Sequence, residues 1–416
     1  MLSWEQTPSL HPMRCCRAWV EINRPALHHN VRQIKALLSP HTDLMAVVKA
    51  DAYGHGAVTV AQVALNAGAT WLGVATVPEG IELRVAGIQA PILVMGAVNS
   101  PEEMEAMAHW RLQPTLVMPK QALVFSEVLS GLVAARPASV HLKLDTGMSR
   151  LGFPWSEAVE FVRFVRQLPH LRIASLYSHL ATADSPDFAV MKLQQQRFAE
   201  AIRELKAGQL MPPRLHLANT AASLADPILH YDMVRVGLGL YGLYPAPHLR
   251  GRLDLQPVMQ VKARITHLKE ISPGTGISYG HQFVARRRMR LGVVGIGYAD
   301  GVPRSLSNRF QVLVKGQRVQ QVGAITMDQL MIDVTSIANL QEGDVVTLLG
   351  RDGDQQISPD DWAATANTIS WEILCGFKHR LPRITMDQAI PSIGPSLSRS
   401  DHVQGSRHEH PNLGDT

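Results

Sequence analysis

The feature that most constrains this 416-residue chain is a series of eight short apolar segments separated by segments with helical spacing. Regular alternation of strands and helices is typical of a parallel sheet, and eight repeats are typical of a closed (β/α)8 barrel. The predicted strands are 44–48, 71–75, 92–95, 115–118, 140–144, 173–177, 215–218 and 233–236.

An open, doubly wound sheet is the alternative architecture for such a chain. The dinucleotide-binding pattern Gly-x-Gly-x-x-Gly of that fold does not follow the first predicted strand. We therefore predict an α/β protein whose N-terminal part is a (β/α)8 TIM-type barrel.

After Leu255 the pattern changes to short strand-like runs separated by Gly, Pro and Asp turns, which predicts a mostly β C-terminal domain. The predicted runs are 258–268, 289–296, 311–314, 320–324, 331–334 and 345–349, and a helix over 359–375 closes the domain. We expect a disordered extension over 1–16, the barrel over 17–255 and the β domain over 256–390. The remaining tail, 391–416, is polar and is also expected to be disordered.

Composition excludes several functions. The 40 basic and 35 acidic side chains leave a net charge of only +5, and the densest basic run, 286–290, has no interleaved aromatic residues. This argues against a nucleic-acid partner. Three cysteines indicate neither a disulfide framework nor a metal site, and no apolar run is long enough to span a membrane. A cytoplasmic protein without a signal peptide fits these features.

Reactive side chains follow the predicted barrel strands, at the end of the barrel where active sites lie. Lys49 ends a buried apolar run, so desolvation is expected to lower its pKa and make its amine a nucleophile or base. The other strands bring Lys143, Arg150, His179, Asn219, Thr220 and Arg235 to the same rim.

These residues predict a cofactor that is an aldehyde carrying a phosphate, namely pyridoxal 5'-phosphate. Lys49 is a candidate for the covalent link to the aldehyde, and the Gly237 and Leu238 amides can bind the phosphate. Arg235 would face the pyridine nitrogen. Because a guanidinium stays protonated, it can only donate to that nitrogen, which then remains unprotonated and suppresses transamination.

Seven longer segments resemble the alanine racemase family. They are 47–56, 143–152, 216–220, 234–242, 277–280, 297–301 and 326–329, and the resemblance covers about residues 17–390. It implies a homodimer that interconverts L-alanine and D-alanine for peptidoglycan, with each active site completed by the partner's second domain.

The resemblance also implies roles for individual residues. Lys49 would be the base on the D-alanine side, and Tyr279 of the partner subunit would be the base on the L-alanine side. His179, linked to Arg235, would tune that tyrosine. The phosphate ligands would be Tyr53, Asn219, Thr220, Gly237 and Leu238, and the substrate would meet Arg150, Met327, Tyr298 and Asp328.

Two positions need separate comment. Lys143 matches a lysine that is carbamylated in some family members, and a carbamate there would orient Arg150. His379 stands where some relatives have a tyrosine that contributes to phosphate binding, so we assign His379 no role.

Three other functions share this barrel. A broad-specificity or serine racemase differs only in the width of its entrance. A decarboxylase would be expected to lack the segment around Tyr279, and a non-catalytic pyridoxal-phosphate carrier would resemble the barrel alone. The second domain, with Tyr279 and Met327, argues against the last two.

Overall fold

A computed structural model describes residues 16–131 and 137–387 of the chain. The predicted terminal segments 1–16 and 391–416 lie outside these ranges, except for Cys16. Up to residue 236 the elements are β1 (Ala18–Asn23), α1 (Arg24–Leu37), β2 (Asp43–Val47), α2 (Lys49–Gly54), α3 (Ala57–Asn66), β3 (Trp71–Val74), α4 (Val77–Val85), β4 (Ile92–Ala97), α5 (Pro101–His109), β5 (Gln113–Leu116), α6 (Pro119–Ser130), β6 (Ala138–Asp145), β7 (Phe153–Pro154), α7 (Ala158–Arg166), β8 (Leu171–Tyr177), α8 (Ala189–Ala207), β9 (Leu215–His216), α9 (Thr220–Ala225) and β10 (Met233–Val236).

Eight parallel strands of this half close into a barrel. The order is β2, β3, β4, β5, β6, β8, β9 and β10, and β10 pairs again with β2. The strands are the eight predicted from the apolar segments, with ends that differ by a few residues, so the predicted TIM-type barrel is confirmed. Their carboxyl ends meet at one rim, which brings the residues that follow each strand together.

The second half is mostly sheet, as predicted. Its elements are β11 (Met259–Ile271), β12 (Gly276–Ile277), β13 (Phe283–Val284), β14 (Met289–Val294), β15 (Gln311–Val314), β16 (Gln317–Gln320), β17 (Leu330–Asp333), β18 (Val345–Asp352), β19 (Gln355–Ile357), α10 (Pro359–Ala366), α11 (Ser370–Gly376) and β20 (Arg383–Met386). The long strand β11 organises this sheet, since it pairs with β1, β14 and β18.

The first strand belongs to this second sheet, although its residues fall within the range expected for the barrel. β1 pairs antiparallel with β11 and parallel with β20, and every one of its residues is buried. The described part of the chain therefore starts in the second sheet, enters the barrel through α1 and returns after residue 255. An apolar strand pattern does not reveal which of two sheets will accept the strand.

Two local predictions in the second half are wrong. The strand expected at 320–324 lies earlier, because Lys315 and Gly316 adopt positive φ and form a tight hairpin turn that pairs 311–314 with 317–320. The helix expected over 359–375 is two helices, since Asn367 ends α10 in the left-handed conformation (φ 57°).

A continuous apolar core links the barrel, its helices and the second sheet. Within the described ranges, no helix combines the length and the apolar character needed to cross a bilayer.

Candidate active site

The rim of the barrel holds a cavity of about 590 Å³, and Lys49 lies on its wall directly after β2. Burial, followed by the nearby charge of Arg150, lowers the pKa of the Lys49 amine below its usual value. This is the direction that the sequence predicts. A lysine with a lowered pKa is more often neutral, and therefore more nucleophilic and more basic toward a substrate proton.

The short element α2, which begins at Lys49, is a left-handed turn and not a right-handed helix. Ala50, Asp51, Ala52 and Tyr53 all have φ between 51° and 55°, a conformation that disfavours residues other than glycine. Carboxylates hold the turn at both ends: Glu79 accepts from the Ala50 amide at 2.7 Å, and Asp51 accepts from the Ala57 amide at 2.8 Å. The turn brings Tyr53 back to the cavity that Lys49 lines.

The residues predicted to bind phosphate meet on one side of this cavity. Gly237 faces the Tyr53 hydroxyl so closely that a Cβ on Gly237 would lie 2.6 Å from it, so any side chain there would collide with the phenol. The Gly237 amide donates to Thr220 Oγ1 at 3.1 Å. Asn219 caps the start of α9 by accepting from the Ala222 amide at 3.0 Å. Leu238 also lines the cavity.

Arg235 is buried at the floor of the cavity and is held from several sides. It donates to the carbonyl oxygens of Ser178 and Leu217 at 2.8 and 2.9 Å, and to His216 Nδ1 at 2.9 Å. Burial lowers its pKa to about 10, so the guanidinium stays protonated at neutral pH. None of its hydrogen-bond partners among the described residues is acidic.

His179 and Lys143 line the cavity beside Arg235. Arg235 donates to His179 Nδ1 at 3.3 Å, which confirms the contact expected from the sequence. Burial, and then the charge of Arg235, holds the pKa of His179 well below its usual value. Burial and the same arginine lower the pKa of Lys143 to about 8, and its amine lies 5.6 Å from the centre of the Tyr177 ring.

The predicted site residues of the second domain do not line this cavity. Tyr279 is 72% exposed, on a turn where Ser278, Gly280 and His281 all have positive φ. Met327 and Tyr298 are 53% and 42% exposed. The structure therefore brings together every predicted barrel residue, whereas the cavity of the same chain is not lined by Tyr279, Met327, Tyr298 or Asp328.

Sequence reasoning missed other cavity residues, among them Tyr177, Trp371 and Cys375. The Tyr177 ring lies beside Lys143, with its centre 5.1 Å from the Arg235 guanidinium. Tyr177 ends a predicted strand, and this position at the rim could have identified it as a site residue. Trp371 and Cys375 come from α11, more than 300 residues after Lys49 along the chain, and nothing in their local sequence links them to the barrel. His379 is exposed and does not line the cavity.

The cavity fits the predicted cofactor. Its volume lies in the range typical of small-molecule sites. A lysine with a lowered pKa suits an aldehyde, the Tyr53 and Thr220 hydroxyls beside Gly237 suit a phosphate, and a buried guanidinium suits a ring nitrogen. The barrel and this constellation define a pyridoxal-phosphate enzyme built on a (β/α)8 scaffold.

Comparisons with known protein families agree with a pyridoxal-phosphate enzyme and indicate which family of these enzymes the chain belongs to. The family model for the N-terminal domain of alanine racemase matches residues 22–245, and the model for its C-terminal domain matches residues 258–385. The chain belongs to the alanine racemase family, as its motifs indicate. An alanine racemase from Nostoc sp. is 66% identical over 88% of this chain and 95% of its own length, and one from Synechocystis sp. is 65% identical over 88% and 98%.

Solved structures show the same likeness. Alanine racemase from Bacillus anthracis with bound L-Ala-P is 36% identical, with a TM-score of 0.83 over 89% of this chain and 95% of that one. Alanine racemase from Bartonella henselae with covalently bound pyridoxal phosphate is 28% identical, with a TM-score of 0.79 over 89% and 100%. The family is pyridoxal-phosphate dependent, and its members are isomerases.

Proposed function

We propose that the protein interconverts L-alanine and D-alanine, with pyridoxal 5'-phosphate as cofactor, in the cytoplasm, and that the D-alanine supplies peptidoglycan. The observation that carries the proposal is the gathering of every predicted barrel residue around one cavity in a chain whose two domains both match the alanine racemase family.

The chain supplies two bases and a cation for the reaction. When bound, the cofactor withdraws electrons from the α-carbon of the amino acid, so that its proton can leave and return. Lys49 holds or returns this proton on the D-alanine side, and its lowered pKa favours the neutral amine that can accept it. Arg150, on the cavity wall, binds the substrate carboxylate, a task suited to a guanidinium.

Other cavity residues hold the cofactor. Tyr53, Thr220 and Gly237 lie together where the phosphate of the cofactor is expected. Asn219 and Leu238, which line the same cavity, would also bind this phosphate. Arg235 would donate to the ring nitrogen, and because a guanidinium only donates, it would leave that nitrogen unprotonated and so limit transamination.

The second base has to come from another copy of the chain. Racemisation needs a base on each face of a planar carbanion. Tyr279 is exposed and lies outside the cavity of its own chain, which supports a homodimer in which Tyr279 of the partner subunit is the base on the L-alanine side. His179 would tune that tyrosine, and Met327, Tyr298 and Asp328 of the partner subunit would shape the entrance and limit substrate size.

The proposal is tested by incubating the purified protein with pyridoxal phosphate in D2O, first with L-alanine and then with L-serine. We expect D-alanine with deuterium at the α-carbon and little reaction of serine. Comparable turnover of serine would instead mean a broad-specificity racemase. Cofactor binding without any exchange would overturn the proposed activity and favour a carrier protein.

A further inference from the structure

A chain of polar side chains crosses the interior of the barrel below Arg235. Barrel interiors are usually filled by branched apolar residues. Here Arg235 contacts His216 Nδ1 at 2.9 Å, His216 Nε2 lies 2.7 Å from Ser175 Oγ, and Ser175 Oγ lies 2.6 Å from His141 Nδ1. The chain ends where His141 Nε2 lies 2.8 Å from Gln113 Oε1. His216, Ser175 and His141 are completely buried.

Arg235 sets the direction of every hydrogen bond in this chain. A guanidinium only donates, so His216 Nδ1 accepts and His216 Nε2 carries the proton that is donated to Ser175. The Ser175 hydroxyl then donates to His141 Nδ1, and His141 Nε2–H donates to Gln113. The far end agrees with this direction, because the atom of Gln113 that closes the chain is a carbonyl oxygen, which only accepts.

Both histidines are neutral in this environment. Burial lowers the pKa of His141 to about 3, and burial followed by the charge of Arg235 holds the pKa of His216 well below its usual value. The Tyr177 ring stacks on His216 with 4.6 Å between ring centres and 6° between the planes. His216 is therefore fixed in protonation state and in orientation.

We propose that His216, Ser175, His141 and Gln113 are positioning residues that hold Arg235 in one orientation, as a donor toward the ring nitrogen of the cofactor. This inference rests on the proposed function only for the identity of the bound group. The proposal gives a role to Gln113, which does not line the cavity. Gln113 and Arg235 lie at opposite ends of this series of hydrogen-bonded side chains.

A carboxylate at position 113 would act against this arrangement. Gln113→Glu changes the volume little but offers a negative charge, which favours a protonated His141. Both nitrogens of His141 would then donate, so the Ser175 hydroxyl would lose its acceptor there and regain one only by turning toward His216 Nε2. That turn would move the proton of His216 to Nδ1, where it opposes the N–H of Arg235.

The test compares Gln113→Glu with Gln113→Met, which removes the same amide without adding charge. Each protein is loaded with pyridoxal phosphate labelled with 15N in the ring, and the ring resonance is recorded by NMR. We expect Gln113→Glu to displace this resonance and to increase severalfold the side reaction that converts alanine and the cofactor to pyruvate and pyridoxamine phosphate. Gln113→Met leaves His141 neutral and the direction of the hydrogen bonds unchanged, so it should displace the resonance much less.

Equal displacement in both variants, or an unchanged resonance in folded Gln113→Glu, would overturn the proposal. Ser175→Ala provides a second test, because alanine cannot connect the two histidines. In the double variant Gln113→Glu/Ser175→Ala, the displacement of the ring resonance should disappear. If Gln113→Glu does not fold, the Ser175→Ala protein is measured alone, and its ring resonance should be broader than that of the wild type. An unchanged line width would then contradict the proposal. The NMR measurement needs only bound cofactor, so it remains informative if racemisation is absent.

Discussion

The barrel rim and the second-domain loops present their predicted site residues in opposite ways. At the rim, Arg235 and Tyr53 are buried and are fixed by neighbours from several strands. In the second domain, Tyr279 and Met327 are mostly exposed and contact no part of the cavity. The difference teaches that one chain gathers the residues of the predicted cofactor site but only half of the proposed catalytic machinery.

Exposure of the second-domain residues does not mean that their backbone is loose. Asp300, which is completely buried, pairs with Arg17 at 2.7 Å and accepts from the Gly297 amide at 2.9 Å. The loop around Asp300 is bonded to the next one, since the Tyr298 amide donates to the Thr326 carbonyl at 3.0 Å. The exposed side chains therefore project from a preorganised surface, as an interface requires.

The largest expected effect comes from the barrel half. Lys49→Ala should reduce deuterium exchange at the α-carbon of D-alanine by at least roughly 10²–10⁴-fold, because it removes both a base and the covalent link to the cofactor. The exchange is measured by mass spectrometry in D2O. Lys120→Ala, at an exposed lysine in α6, is the matched control. Substantial deuterium exchange in the Lys49→Ala protein would contradict the assignment of Lys49 as the base on the D-alanine side.

The second-domain half is tested by Tyr279→Phe, which should keep the cofactor but lose roughly 10²–10⁴-fold of the exchange that starts from L-alanine. Mixing the Lys49→Ala and Tyr279→Phe proteins under conditions that allow subunit exchange should restore activity. Each mixed dimer would contain one site with an intact Lys49 and the intact Tyr279 of the partner subunit. Failure to recover activity, with dimers exchanged, would contradict the shared site.

A smaller effect is expected for Arg150, which lines the cavity and would bind the substrate carboxylate. Arg150→Lys keeps the charge but loses bidentate geometry, so KM for alanine should rise about tenfold or more, in line with the energy of hydrogen bonds to charged groups. Steady-state kinetics measures this change. Arg203→Lys, on the exposed face of α8, should leave KM unaltered. A fall in kcat alone would argue against carboxylate binding.

The smallest expected effect concerns Lys143. Because its pKa is lowered to about 8, the neutral amine predominates above pH 8 and the cation below it. Only the neutral amine adds CO2, with release of a proton, so the predicted carbamate should accumulate as pH rises from 7 to 9. NMR with 13C-labelled bicarbonate detects it, and Lys143→Gln is the control. No signal at pH 9 would exclude the modification.

The strands of the barrel could be predicted because each buries a continuous apolar run between polar turns. The site residues at the rim could be predicted because the carboxyl ends of all barrel strands meet at the same end of the barrel. The left-handed turn at Ala50–Tyr53 could not be predicted, since no glycine marks it within those four residues. The polar chain through His141 and His216 was also missed, because its links join different strands and depend on register rather than on local sequence.

The left-handed turn makes the barrel site depend on the second domain. Four such residues cost about 1–2 kcal/mol each, so the turn depends on contacts made elsewhere. Gly54, at its end, lies so near the Leu374 carbonyl that a Cβ would approach within 2.6 Å, and Arg383 donates to the Gly54 carbonyl at 3.1 Å. The backbone beside Lys49 is thus shaped by contacts with residues 374–383 of the second domain. A barrel separated from those residues would hold its lysine differently.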